Sequence, residues 1–204
     1  MSEVLNCKRC KKLPWSKDAI KRCLCNGFNL DIGCGPNKQP GFIGMDKRDI
    51  SNVDIVWDIE TVIEPPYYAK KLGATSDPWP FKDNTVDMLL MSHVLEHMKP
   101  WGMIEIMNEL WRITKPNGQL FIAVPHGSSS GFQQDPTHTK QFNEATWQYF
   151  NPQTVELFRI YNPRPWKIHR LNSHPIHNME VVLHPIKEQV TEVNKKGRKL
   201  EKVR

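Results

Sequence analysis

The stretch from Phe28 to Asp46 constrains the fold of this chain more than any other. It reads as an apolar strand over 29–32, a turn at Gly33-Cys34-Gly35, and a second apolar strand over 42–45 that ends at Asp46. The glycines let the backbone turn sharply and approach a ligand closely, because no Cβ stands in the way. An acid at the carboxyl end of the second strand is placed to accept hydrogen bonds from ribose hydroxyls. The stretch therefore predicts a site for a nucleoside-containing cofactor, with a tight turn that binds no ligand as the alternative.

The connection between the two strands favours one kind of cofactor. A dinucleotide fingerprint has a third glycine where this chain has Lys38, and a helix whose N-terminus meets the pyrophosphate. Only six residues, 36–41, separate Gly35 from Phe42, and two of them are proline, so no full helix fits. S-adenosylmethionine has no phosphate to hold, and Asp31 beside the glycines can pair with its ammonium group. The residues thus favour S-adenosylmethionine over a nicotinamide dinucleotide.

Length and composition are those of a soluble protein built around one domain. The chain has 204 residues, of which 39% are hydrophobic and 25% charged. No apolar run reaches the length of a membrane span, and the first residues lack the apolar region of a signal peptide. We therefore expect a cytoplasmic protein with no membrane partner.

The two ends of the chain differ from its body in charge. Residues 1–25 and 195–204 each carry a net charge of +5, whereas residues 26–194 carry −4. We divide the chain into a basic, cysteine-bearing extension (1–25), one domain (26–190), and a basic tail (191–204) whose composition predicts disorder. Basic ends of this kind either contact nucleic acid or another polyanion, or are simply solvated.

Cysteines are concentrated in the N-terminal extension. Four of the five precede the first strand, in a C-x2-C and a C-x-C arrangement: Cys7, Cys10, Cys23 and Cys25. Four thiolates are a ligand set for zinc, but the second pair is one residue tighter than the usual spacing. Reduced, structural thiols are the alternative, and no metal is expected.

Further apolar runs continue the alternation of strands and crossovers. Strands are predicted over 53–57, 86–91 and 120–124, and a helix begins at Pro100. In that helix, apolar residues recur at intervals of three and four: Ile104, Met107, Leu110 and Trp111. The pattern indicates a parallel α/β sheet with ligands at the carboxyl ends of its strands. Two late strands, 166–171 and 179–186, follow.

Five motifs in this order resemble the class I S-adenosylmethionine-dependent methyltransferases, and most closely the methyltransferase type 11 group. They are DIGCGPNK, the acid in FIGMD, the acid in IVWDIE, PFKDNTVDMLLMSHVLEHM, and LWRITKPNGQLFIAVPH, within roughly residues 28–126. The resemblance implies a Rossmann-like, doubly wound, mostly parallel seven-stranded sheet with an antiparallel last strand, which the two late strands would complete. The short first crossover and the longer insertion at 61–80 depart from the group's pattern.

The resemblance also implies the cofactor and its contacts. S-adenosylmethionine would lie across the strand ends, held by residues that follow successive strands. The expected contacts are Asp31, Gly33, Cys34 and Gly35 at the methionine part, Asp46 at the ribose, Asp58 and Ile59 at the adenine, and Ser92 and His93 near the transferred methyl group.

Methyl transfer is a displacement at a sulfonium carbon with a good, neutral leaving group, so the protein mainly aligns the nucleophile. A base is needed only if the acceptor must lose a proton. The candidate catalytic residues are His93, His126, Asp135 and His138. His97 is expected to be an ordinary helix-face histidine, one helical turn past His93 and away from the strand end.

Residues 127–165 are predicted to form the acceptor region, with 127–150 as a mobile cover. Gly127 and Gly131 bracket three serines, a composition with much backbone freedom. Beyond them, Asp135 and His138 offer polar contacts, and three aromatic residues offer apolar area to close against the site: Phe142, Trp147 and Phe150. The alternative for the DPTH sequence is a local turn with no chemical role.

The expected function is therefore methyl transfer from S-adenosylmethionine to an acceptor that is a small molecule, a glycan, a protein or a nucleic acid. The alternative is a non-catalytic S-adenosylmethionine-binding or nucleic-acid-associated regulatory module. Asp31, both turn glycines and Asp46 are all present, which argues against a dead site. The oligomeric state stays open.

Overall fold

A computed structural model describes residues 27–63 and 78–187. The cysteine-bearing extension (1–25) and the basic tail (191–204) lie outside these residues, as does most of the insertion at 61–80. Within the described ranges, no helix combines the length and the apolar character that crossing a membrane requires.

Seven strands form one sheet in the order β3-β2-β1-β4-β5-β7-β6. The strands β1 to β5 pair in parallel, and β7 runs antiparallel to both β5 and β6. This arrangement confirms the predicted doubly wound sheet with an antiparallel last strand. The strands are β1 Phe28–Ile32, β2 Ile43–Asp46, β3 Ile55–Val56, β4 Val86–Ser92, β5 Thr114–Pro125, β6 Trp166–Ser173 and β7 Asn178–Pro185.

The helices of the described residues are short, apart from the one that connects β4 to β5. They are α1 Met103–Ile113, α2 Ser130–Gln133, α3 Glu144–Gln148 and α4 Val155–Tyr161, with single 3-10 turns at Ile59–Val62, Leu95–His97 and Pro100–Gly102. The helix predicted from Pro100 therefore begins as a 3-10 turn and becomes α-helical at Met103.

The core lies on both sides of the central strands. Leu30 and Ile32 of β1, and Leu89 and Met91 of β4, are fully buried, as expected for parallel strands covered on both faces. The apolar stripe of α1 packs on one of these faces. This packing fixes the strand ends on which the site is built.

The third strand is shorter than predicted. The prediction covers 53–57, but only Ile55–Val56 pair with β2. Asp54 instead accepts hydrogen bonds at one oxygen from the Gly44 amide (2.7 Å) and from Lys38 Nζ (2.7 Å). The residue thus ties the β1–β2 connection to the sheet rather than extending the edge strand.

Candidate functional site

The parallel strands bring their carboxyl ends to one edge of the sheet, where a cavity of about 460 Å³ opens. This volume lies in the usual range for small-molecule sites, roughly 300–1,000 Å³. The cavity is lined by residues that follow β1, β2, β3 and β4 and by one residue after β5: Gly33, Asp46, Lys47, Arg48, Trp57, Asp58, Ile59, His93, Val94, His97, Met98 and Thr137.

The glycine turn after β1 forms one wall of the cavity. Gly33 has a φ of +68° and Gly35 a φ of +54°, both in the left-handed region that glycine adopts without strain. A Cβ on Gly33 would lie 2.4 Å from Val94 Cγ2. The turn therefore approaches the segment after β4 as closely as it does only because residue 33 has no side chain.

Asp46, at the end of β2, is buried, with 6% of its surface exposed. Its Oδ2 accepts hydrogen bonds from the Gly35 amide (3.0 Å) and Arg48 Nη2 (3.2 Å), and its Oδ1 accepts from the Arg48 amide and Nε (both 3.0 Å). Burial raises the pKa of Asp46, but the hydrogen bonds from Arg48 and Gly35 outweigh burial and hold the pKa below its ordinary value. The group is therefore an ionised acceptor at the cavity wall.

A ribose can bind to Asp46 only if the Arg48 side chain gives up its hydrogen bonds to this carboxylate. The four bonds to Asp46 use all the lone-pair sites that a carboxylate offers. The Arg48 side chain is 58% exposed, so it can turn into solvent and leave two of these sites to ribose hydroxyls. The chemistry of the wall thus suits the ribose of the expected cofactor.

Asp58 and Ile59 lie on the cavity wall directly after β3. Asp58 caps the 3-10 turn Ile59–Val62, since its Oδ1 accepts a hydrogen bond from the Glu60 amide at 2.9 Å. The Ile59 carbonyl accepts a hydrogen bond from Trp79 Nε1 (3.0 Å), which fixes the turn against the core. An acid beside a buried aliphatic side chain matches the polar edge and flat apolar face of an adenine.

Four of the expected contact residues are absent from the cavity wall: Asp31, Cys34, Gly35 and Ser92. Asp31 is buried and its Oδ2 accepts a hydrogen bond from the Gln39 amide (2.8 Å). Burial raises the pKa of Asp31, and the Gln39 bond and the charge of Lys38 offset part of that rise. Burial, together with nearby acids, raises the pKa of the Cys34 thiol to about 11, so it is not a thiolate at neutral pH.

His93 follows β4 at the cavity wall and has a φ of +55°, which is uncommon for a non-glycine residue. Its Nδ1 lies 3.1 Å from Oε1 of Glu96, whose side chain is fully buried. The hydrogen bond to Glu96 raises the pKa of His93, and burial opposes part of that rise. Sequence reasoning missed Glu96, although its spacing of three residues from His93 was the available signal.

The expectation for His97 is wrong. The residue was predicted to be away from the strand end, but it lines the cavity beside Met98 and Thr137. The reason is local: residues 95–97 form a single 3-10 turn, not a continuing α-helix, so the helical spacing from His93 does not apply.

The other candidate catalytic residues stand back from the cavity wall. His126 follows β5 and its Nδ1 is hydrogen-bonded to Ser128 Oγ at 2.8 Å. Asp135 accepts hydrogen bonds at Oδ1 from the Thr137 amide (2.8 Å) and hydroxyl (2.7 Å), and these lower its pKa. His138 Nδ1 donates to the Phe132 carbonyl at 2.9 Å. Asp135 and His138 flank Thr137, which does line the cavity.

The aromatic residues of the predicted cover belong to the core. Phe142, Trp147 and Phe150 are all buried there, and the rings of Phe142 and Trp147 stack at 5.4 Å. The Trp147 Nε1 atom donates to Met179 Sδ at 2.8 Å. The role of 127–150 as a mobile cover stays a prediction, and the contact of this segment with the cavity is at Thr137.

Comparison with protein families matches the segment that contributes all of the cavity wall except Thr137. A family profile described as a methyltransferase domain matches residues 30–122. An uncharacterized protein of Methanocaldococcus jannaschii is 31% identical over 100 residues, which are 49% of this chain and 41% of that protein. The match thus spans about two fifths of the length of that curated relative.

Solved structures share the fold at low sequence identity. A S-adenosylmethionine-dependent methyltransferase from Archaeoglobus fulgidus has a TM-score of 0.50 at 17% identity, covering 79% of this chain and 88% of that one. A chain of a complex that contains the Haloferax volcanii Trm112 methyltransferase activator has a TM-score of 0.51 at 13% identity, covering 80% and 84%. The fold and the domain match confirm the resemblance to the class I methyltransferases of type 11 and support S-adenosylmethionine as the cofactor.

Proposed function

From the methyltransferase domain at residues 30–122, we propose that this protein transfers a methyl group from S-adenosylmethionine to an acceptor that enters the cavity beside His93. The observation that carries the proposal is the composition of the cavity wall. Asp46 and Asp58 offer carboxylates on one side, and His93 offers an imidazole on the other. One side suits a nucleoside and the other suits a group that gives up a proton.

In this proposal the cofactor extends along the strand ends. Its ribose hydroxyls replace Arg48 on Asp46, and its adenine lies against Ile59 with its amino group toward Asp58. Its methionine part lies along the glycine turn at Gly33, next to the Val94 side chain that packs on this glycine. When bound, S-adenosylmethionine supplies the electrophilic methyl group, and the chain's own residues position the acceptor.

We assign His93 the role of proton acceptor, held in place by Glu96. Glu96 accepts at Oε1, so the His93 proton is on Nδ1, and Nε2 carries the lone pair that would take a proton from the acceptor. This lone pair accepts a long hydrogen bond from Asn178 Nδ2 (3.4 Å), which the acceptor would replace. The strained backbone at His93 aims the ring into the cavity, as strain at functional residues commonly does.

The acceptor class stays open among small molecules, glycans, proteins and nucleic acids. The comparisons do not favour the alternative of a non-catalytic or nucleic-acid-associated regulatory module. A cytoplasmic location is part of the proposal and rests on the sequence alone.

A methyl-transfer assay with isotopically labelled S-adenosylmethionine across these four acceptor classes tests the function. The informative variant is His93→Asn, because asparagine tolerates the left-handed backbone but cannot act as a base. We expect its turnover to fall by about 10²-fold or more, the usual contribution of a general base. Its affinity for S-adenosylhomocysteine should match the wild type.

Two results would count against the proposal. Transfer to no acceptor by a protein that binds S-adenosylhomocysteine would favour the regulatory alternative. Wild-type turnover in His93→Asn would remove His93 from the chemistry while leaving the methyl transfer itself intact.

A further inference from the structure

Glu96, His97 and His138 come together beside the cavity, and one potential metal-ligating atom of each lies within 4.8 Å of the others. The sequence predicts no metal, and the three residues come from two separate segments of the chain. We propose that this cluster is a binding site for a divalent transition-metal ion such as Zn²⁺ or Co²⁺. The argument rests on how each of the three side chains is already engaged.

Glu96 supplies a buried carboxylate oxygen with nothing to bind. Its side chain is fully buried, and Oε1 is taken by His93, but Oε2 has no hydrogen-bond partner. A buried oxygen without a partner is costly, because it has lost its water and gained nothing in return. A cation at this position would satisfy Oε2 without disturbing the bond to His93.

His138 is held in the tautomer that a metal ligand needs. Its Nδ1 donates to the Phe132 carbonyl at 2.9 Å, so the proton is on Nδ1 and the lone pair is on Nε2. Metal-binding histidines usually donate their other ring N–H to a carbonyl or carboxylate in this way. Asp135 Oδ2 lies 3.7 Å from Nε2, too far for a hydrogen bond, so it does not compete for this lone pair.

His97 is held in the same tautomer by a different route. The Thr137 hydroxyl donates its hydrogen to Asp135 Oδ1 at 2.7 Å, so its oxygen is left to accept from His97 Nδ1 at 3.0 Å. The proton of His97 is therefore on Nδ1, and its Nε2 is free. Both imidazoles thus present an unprotonated nitrogen, and their rings meet edge to face with centroids 4.7 Å apart.

Hydrogen bonds between the two segments hold the cluster together. The Glu96 carbonyl accepts from the amides of Thr139 (2.8 Å) and Lys140 (3.1 Å), and the Thr139 hydroxyl donates to the Met98 carbonyl (2.7 Å). His138 is thereby fixed over the 3-10 turn that contains Glu96 and His97. The cluster, with ligand atoms up to 4.8 Å apart, must contract to hold an ion, because ligand atoms around zinc are about 3–3.5 Å apart for bonds near 2.0–2.2 Å.

Two imidazoles and one carboxylate are a ligand set typical of Zn²⁺ and other first-row divalent ions, with positions left open for water or substrate. His97 and Thr137 line the cavity, so an open position would face it. The ion would there bind an oxygen or nitrogen of the methyl acceptor. This last role, unlike the metal site itself, rests on the proposed function.

Metal binding by the full-length protein tests the site without any assay of activity. The protein is stripped with a chelator and titrated with Co²⁺, whose visible absorption reports its ligands, and Zn²⁺ content is measured after dialysis. We expect one equivalent of metal at the cluster. His97→Gln and His138→Gln should each weaken binding by roughly 100-fold or more, since even partners of metal ligands contribute 10–100-fold.

Matched variants separate this site from others in the chain. His174→Gln changes an exposed histidine outside the cluster and should bind like the wild type. Cys10→Ser tests the cysteines of the extension, and metal at the cluster should survive it. Glu96→Gln is less decisive because Glu96 is buried, so the histidine variants carry the test.

Any one of three results would overturn the site. They are equal Co²⁺ affinity in the wild type and His138→Gln, absence of metal uptake by the wild type, and loss of all metal in Cys10→Ser. The two proposals can fail separately. If both histidine variants lose the bound metal but the wild type transfers no methyl group, the metal site is supported and the proposed function is rejected.

Discussion

The connections that follow β1 and β4 cross the same sheet but are held by different forces. The β1–β2 connection has no helix, and strand-end acids hold it by hydrogen bonds to its backbone: Asp31 to the Gln39 amide and Asp46 to the Gly35 amide. The β4–β5 connection contains α1, whose Ile106, Met107 and Leu110 are fully buried against the sheet. One crossover is polar and the other apolar.

This difference suggests separate roles for the two crossovers: the first contributes to ligand binding and the second to the stability of the fold. The acids that hold the first crossover include those expected to hold the cofactor, so ligand and loop compete for the same oxygens. The apolar packing of α1 has no such second use. Changes in the first crossover should therefore act mainly on ligand affinity, and changes in the second mainly on the stability of the fold.

The largest effect is expected from Leu110→Ala in α1. Removing a fully buried leucine side chain leaves a cavity, and the free energy of unfolding should fall by about 2–5 kcal/mol. Leu110→Met keeps the volume and should cost less than about 1.5 kcal/mol. Denaturant unfolding measures both. An affinity of the folded Leu110→Ala protein for S-adenosylhomocysteine well below that of the wild type would contradict the separation of roles.

A smaller effect, on binding, is expected from Asp46→Asn in the first crossover. The amide keeps the shape of the side chain but loses the charge and half of its acceptor sites, so affinity for S-adenosylhomocysteine should weaken by about 1–3 kcal/mol. The control is Asp49→Asn, a nearby exposed acid after β2 with the same change in charge. Calorimetry that finds the two variants equal would remove Asp46 from the ribose contact.

The sequence predicts the apolar crossover better than the polar one. Buried strands and an amphipathic helix have a period that a single sequence displays, and β1, β4 and α1 lie close to their predicted ranges. The acids Asp46 and Asp58 were also found, because each directly follows an apolar strand. They lie on the cavity wall as the motif implies.

Hydrogen bonds between distant segments leave no period in the sequence. His138 reaches Glu96 and His97 only because the amides of 139 and 140 bond to the Glu96 carbonyl across some forty positions. Arg48 engages Asp46 two residues away, but nothing in their spacing distinguishes this pair from a polar loop. The cavity wall contributed by the segment after β4 was therefore only partly predicted.

The second crossover also has a polar anchor, Lys187, which contacts the end of α1. Lys187 Nζ donates hydrogen bonds to the carbonyls of Arg112 and Thr114 and to Asn84 Oδ1, and lies over the Trp111 ring. Burial lowers the pKa of Lys187 from 10.5 to about 8; Asp83 opposes this, and Arg112 and Arg164 add to it. Lys187 is thus the group whose protonation should tune the stability of the second crossover.

The smallest expected effect is the pH dependence of stability that Lys187 contributes. Because its pKa is about 8 in the folded protein and 10.5 when unperturbed, the folded state binds fewer protons between these values, and stability should rise with pH across that window. Below about pH 8 both states are protonated and the cost of burying the charge is fully present. The difference in unfolding free energy between the wild type and Lys187→Met should grow in favour of the wild type from pH 8 to 10, by about 1 kcal/mol or less because solvent screens the half-buried ammonium. Lys167→Met, at an exposed site on β6, should run parallel to the wild type. A constant difference between wild type and Lys187→Met over this range would mean that the lysine is as well solvated in the fold as in the unfolded chain.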